Sequence, residues 1–181
     1  MTATASLRGD TDKTRQEEAK IQQRSQAVEA SFRQTVKEAS YCVAYVLSDA
    51  PGRDPDSFLD PEKVICQEQV SARTIGMKRL PPEAGQRILD ATFSRTASNP
   101  LSACYDPHHL FVFYAGNGHP LAAVELCLTC GGVDISPSDR DRDVLLSISS
   151  SADLNALAKV LEEAGLPLTP FKSLDEYRAR K

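Results

Sequence analysis

No run of apolar residues in this chain approaches the roughly 20 that a helix needs to cross a bilayer, so no membrane span is expected. Positive charge is scarce as well: 21 Lys and Arg stand against 25 Asp and Glu, a net charge of −4. Nucleic-acid affinity rests on Lys and Arg displacing counterions from phosphates, so no nucleic-acid partner is expected. A protein partner, basic in character, fits that charge better. The first 20 residues are polar and lack the apolar core of a secretory signal. The chain as written is therefore expected in the cytoplasm, or in the periplasm if a signal has been removed.

Other absences narrow the field further. Gly116-x-Gly118 and Gly131-Gly132 lack the strand-to-helix context and spacing of phosphate-binding loops, and turn or bulge geometry explains them better. Asp139, Asp141 and Asp143 alternate like the start of a calcium loop. The glycine and the final glutamate of that loop are missing, with Val144 and Ser150 in their places. There is no internal repeat. Five cysteines, at 42, 66, 104, 127 and 130, are too few for a small disulfide framework.

What is present reads as one α+β domain over residues 21–181, preceded by a polar stretch, 1–20, with little to bury and expected to fray. Ile21, Val28, Phe32 and Val36 make a thin apolar stripe on a long N-terminal helix running to about Ser40. Tyr41 to Leu47 reads as a strand ended by turn residues, and Gln69 to Met77 as a second extended segment. Pro82 then opens a helix to about Phe93. Leu110 to Ala115 and Leu121 to Leu128, joined by Gly116-Asn117-Gly118, carry a strong hairpin signal. Val133 to Ile135 and Val144 to Ile148 add strand material. Ser151 is expected to cap a helix bearing Leu154, Leu157, Ala158 and Leu161, which Gly165 and Pro167 end. The fold class implied is a mainly antiparallel sheet, centred on a hairpin at about 109–130, with helices packed on one face.

The densest chemistry flanks that hairpin: Cys104-Tyr105-Asp106-Pro107-His108-His109 before it and Cys127-Leu128-Thr129-Cys130-Gly131-Gly132 after it. A three-residue loop pairs Ala115 with His119 and sets Cys104 opposite Cys130, whereas a four-residue loop sets His108 opposite Cys127. Cys104, His108, Cys127 and Cys130 could hold a structural zinc in tetrahedral geometry. Residues 127 and 130 of a continuous strand point to opposite faces, so that requires the Gly-Gly pair to bend the chain. A disulfide from Cys104 to Cys127 or Cys130 needs only two of the thiols, and plain buried thiols need none. A redox CxxC would sit at a helix N-terminus, whereas this one closes a strand. A Cys-His hydrolase would use His108 or His109, oriented by Asp106, to activate a cysteine.

The pattern Cys104-aromatic-x-Pro107-x-His109, then Cys127-x-x-Cys130, then Ala164-Gly165-Leu166-Pro167-Leu168, resembles small uncharacterised bacterial proteins, many exported or lipoprotein-like. The resemblance spans roughly residues 70–170 and brings no activity with it. Those proteins carry Arg before the second histidine and an aromatic inside the CxxC, where this chain has His108 and Leu128. It implies an extracytoplasmic setting and favours a disulfide. The functional expectation is a non-enzymatic protein-binding domain, immunity- or inhibitor-like, with a small zinc-binding domain as the alternative and a Cys/His-dependent enzyme third. Zinc is the one cofactor to consider.

Overall fold

The computed structural model describes residues 6–48, 57–99, 107–138 and 141–180, with side chains from Lys13 onward. Helix α1 (Ser6–Lys37) turns Val28 and Phe32 into the core and leaves Lys13 to Lys20 exposed. Strand β1 (Tyr41–Leu47) follows, then the short hairpin β2 (Leu59–Asp60) and β3 (Val64–Ile65), helix α2 (Gln67–Arg73) and strand β4 (Thr74–Arg79). Helix α3 (Pro82–Thr92) leads to the central hairpin, β5 (His109–Tyr114) and β6 (Pro120–Cys127), and β7 (Gly132–Ser136) completes the sheet. Helices α4 (Arg142–Ser151), α5 (Leu154–Glu163) and α6 (Leu174–Ala179) close the chain.

The five strands lie in the order β4-β1-β5-β6-β7, and every neighbouring pair is antiparallel. The α+β class, the antiparallel sheet and the long N-terminal helix are thus as the sequence implies. One face of the sheet, carrying Ala44, Phe111, Phe113, Val124 and Leu126, forms the larger core with Phe32, Ile88, Leu154, Leu157 and Leu161 from the helices. The hairpin residues Leu110, Val112, Val124 and Leu126 and the helix residues Leu154, Leu157 and Leu161 are all at most 2% exposed, which their periodicities predict. Phe32 meets Phe93 edge-on at 5.7 Å, tying α1 to the end of α3.

Two elements differ from expectation. Val144 to Ile148 lie in α4, not in a strand, because Asp141 caps the helix by accepting from the amides of Asp143 and Val144. Gln69 to Arg73 lie in α2, and extended chain begins only at Thr74. The cap of α5 is Asp153, which accepts from the Ala156 amide, rather than Ser151. Its C-terminus is closed as expected: Gly165 at φ +73° lets its own amide reach Glu162 and that of Leu166 reach Leu161. No single helix among the described residues is long and apolar enough to cross a membrane.

The opposite face of the sheet carries a smaller core, in which Phe58, Ile65 and Val70 cover Leu47, Leu110, Val112 and Ala123. The β2–β3 flap is fastened there by Glu125 of β6. Its buried carboxylate accepts from the Phe58 amide at 2.6 Å and the Ser57 hydroxyl at 2.9 Å. Arg73 stacks on Phe58 at 4.5 Å and donates to the Ser48 carbonyl, joining α2 to the same corner.

Candidate functional site: the Cys/His end and the open face

The central hairpin closes with a three-residue loop, in which Ala115 donates to His119 at 2.9 Å. A bulge between Phe113 and Tyr114 then shifts the ladder by one residue, so that His109 pairs with Leu126. The ladder ends at that pair, and its register, continued by one step, is the one that sets His108 opposite Cys127. Beyond the bulge the ladder follows the register expected of a four-residue loop, although the loop itself has three residues. Cys104, which the other register sets opposite Cys130, lies outside the described residues.

Cys127 ends β6, and the chain reverses through residues 128–131 into β7, with the Gly131 amide bonded back to the Cys127 carbonyl at 3.0 Å. Gly131, at φ +73°, supplies the left-handed residue that this reversal needs. Cys127 and Cys130 thus face each other across a turn, Cα atoms 5.7 Å apart, and form a disulfide. That bond runs within the CxxC rather than from Cys104. The opposite-face rule does not apply, since the two cysteines are not on one continuous strand. Cys104 and Asp106 lie outside the described residues. Among the described residues no group of three or more His, Cys, Asp or Glu is placed to hold a metal. For Cys127 and Cys130 to serve a zinc ion as thiolates, their bond would first have to be reduced. Both are buried, which limits access of an attacking thiolate.

Both histidines are buried. His109 shares the parity of Phe111 and Phe113, under the helices, and its Nε2 lies 3.0 Å from the Pro167 carbonyl, an acceptor only. The proton therefore sits on Nε2. Nδ1 is buried without a hydrogen-bond partner. Burial pushes the pKa down to about 4, against the smaller opposing pull of the Pro167 carbonyl, so the ring is neutral near pH 7. His109 acts there as an apolar plug with one hydrogen bond.

A second cluster was not legible as a site in the sequence. Register places Tyr41, Val43 and Tyr45 of β1 beside Arg79 and Met77 of β4 and Tyr114, Val112 and Leu110 of β5, all on the face away from the helices. Tyr41 and Tyr114 stack at 5.2 Å, and the hydroxyls of Tyr45 and Tyr114 share a hydrogen bond of 2.8 Å. Arg79 lies over the Tyr41 ring at 4.3 Å. Burial holds the Tyr45 and Tyr114 phenols above their usual range, so they stay neutral. The flap does not reach β4: Ile75 is 63% and Met77 67% exposed. Among the described residues β4 is also an edge strand, with no partner strand for one line of its backbone donors and acceptors. The signal available in the sequence was the alternation of Tyr41, Val43 and Tyr45 against Cys42, Ala44 and Val46. It reads as a doubly buried strand because both sets are apolar or aromatic.

No protein-family model, no curated protein and no solved structure matches the chain.

Proposed function

We propose that the protein is a non-enzymatic binding module, immunity- or inhibitor-like in its mode of action, which holds an extended segment of a partner protein along β4. The observation that carries this reading is the pair Ile75 and Met77, large apolar side chains left more than three-fifths exposed on an uncovered edge strand. Edge strands template pairing with another chain and are ordinarily blunted by bulges, charge or cover. β4 has a register irregularity at Ile75 and ends in Lys78 and Arg79, yet it keeps Ile75 and Met77 exposed. A segment added to β4 would draw affinity from main-chain hydrogen bonds and specificity from alternate side chains set against Ile75, Met77 and the tyrosines. Local charge, rather than the net charge of the chain, sets the partner's character. β4 carries Lys78 and Arg79, both exposed, and no acidic residue, so the segment is acidic rather than basic.

A photoreactive amino acid at position 77, with a control at the exposed Lys159 on α5, tests this in extracts of the source cells. Expected is one dominant adduct at 77 that is absent at 159, and a purified partner whose binding falls at least tenfold with Ile75→Asp. The same adducts at both positions would overturn the proposal. So would a homodimer in sedimentation velocity that Ile75→Asp dissolves, since the strand would then be serving a second copy of the chain.

A further inference from the structure

Where the end of α1, the start of β1, the end of β4 and the first turns of α3 converge, the fold leaves a cavity of about 650 Å³. That lies within the range of about 300–1,000 Å³ usual for small-molecule sites. Its floor is apolar, formed by Val36, Leu80, Leu89 and Phe113, and no Asp or Glu lines it. Cys42 also faces it as a thiol whose pKa burial drives upward, so the floor carries no charge of its own. Three cations stand in the wall: Arg33, Lys37 and Arg79. Arg33 is occupied by Glu29 at 2.9 Å and Asp90 at 3.0 Å. Lys37 and Arg79 are exposed and make no ion pair among the described residues. In a chain of net charge −4, two cations without an ion pair, Arg79 resting on the Tyr41 ring that also lines the space, stand at an apolar cavity without a carboxylate and form a directional arrangement.

We propose that this cavity binds a small amphiphilic anion, an alkyl or aryl carboxylate, with its apolar body against Phe113 and Leu89 and its headgroup at Lys37 and Arg79. Burial of the body supplies the affinity. The charge-assisted hydrogen bonds select the anion over a neutral or cationic analogue of the same length. The site shares Arg79 with the β4 edge but takes a free small molecule against Phe113 and Leu89, so its failure would leave the protein-binding proposal, which rests on Ile75 and Met77, standing.

Titration calorimetry of the full chain with decanoate, decan-1-ol and decylammonium, each below its micelle threshold, tests it. Decanoate should bind saturably, decanol at least tenfold more weakly, and decylammonium more weakly still. Lys37→Ala and Arg79→Ala should each weaken decanoate about five- to tenfold and leave decanol unchanged. Gly85 lines the cavity, and a Cβ added there would meet Phe113 at an ordinary 3.5 Å, so Gly85→Met should fold, fill the space and abolish binding of both compounds. Melting curves establish that each variant is folded. The proposal is overturned if folded wild type shows no saturable heat with decanoate, if decanoate and decanol bind equally, or if Gly85→Met leaves decanoate binding intact.

Discussion

On its helical face the sheet sets Phe111, Phe113, Val124 and Leu126 against the helices, none more than 2% exposed; on its other face β1 carries the half-buried Tyr41 and Tyr45, and β4 the uncovered Met77. The difference lies in the covering elements rather than in the strands. Residues of α1, α3, α4, α5 and α6 join the core on the first face. A flap of two short strands, pinned by Glu125, reaches only the β5–β6 half of the second and leaves the β4–β1 half open. Apolar residues of similar kind therefore differ in their surroundings: covered, they stabilise the fold, and uncovered, they form the surface on which the proposed partner segment would dock.

Substitutions on the two faces should separate these roles. The largest effect belongs to the covered face, where Leu157→Ala should cost about 2–5 kcal/mol in denaturant unfolding. A loss near zero would mean that α5 is not seated on the sheet. His109 sharpens the same face through pH. Its folded pKa of about 4 lies below the unfolded value of about 6.5. Its stabilisation is therefore present in full above pH 6.5 and is lost as pH falls toward 4, on the order of 3 kcal/mol relative to a His109→Gln variant. Parallel pH profiles for the two proteins would contradict the buried neutral imidazole. At the edge of the contrast, replacing both Cys127 and Cys130 by Ala should cost about 2 kcal/mol, the chain-entropy value for so short a ring. Unchanged unfolding under oxidising conditions would show that the bond contributes nothing to the turn. On the open face, Tyr45→Phe removes a hydroxyl pair and should cost only about 1 kcal/mol.

How far all this was legible in the sequence follows the same division. The hairpin and α5 were readable because Gly116-Asn117-Gly118 forces a reversal and Leu154, Leu157 and Leu161 keep helical spacing on a covered surface. The strand expected at Val144 to Ile148 failed because a short apolar run has no period of its own, and the deciding signal was the cap at Asp141. At the Cys/His end the residues were visible but their pairing was not. A bulge shifts the register, and a reversal inside the CxxC turns two sulfurs toward each other. The open face was hidden for a physical reason: exposure of Met77 depends on where the flap ends, which no local pattern around residue 77 encodes.

The smallest expected change in stability accompanies the largest expected change in binding, and one paired measurement reads both. Chemical unfolding and calorimetric titration of the partner captured at position 77 would be run on wild type and on Ile75→Asp. Expected is an unfolding free energy within about 0.5 kcal/mol of wild type, as for exposed positions generally, together with at least a tenfold loss of affinity. A variant that binds as tightly as wild type, or one that loses stability by several kcal/mol, would contradict the division of labour between the two faces.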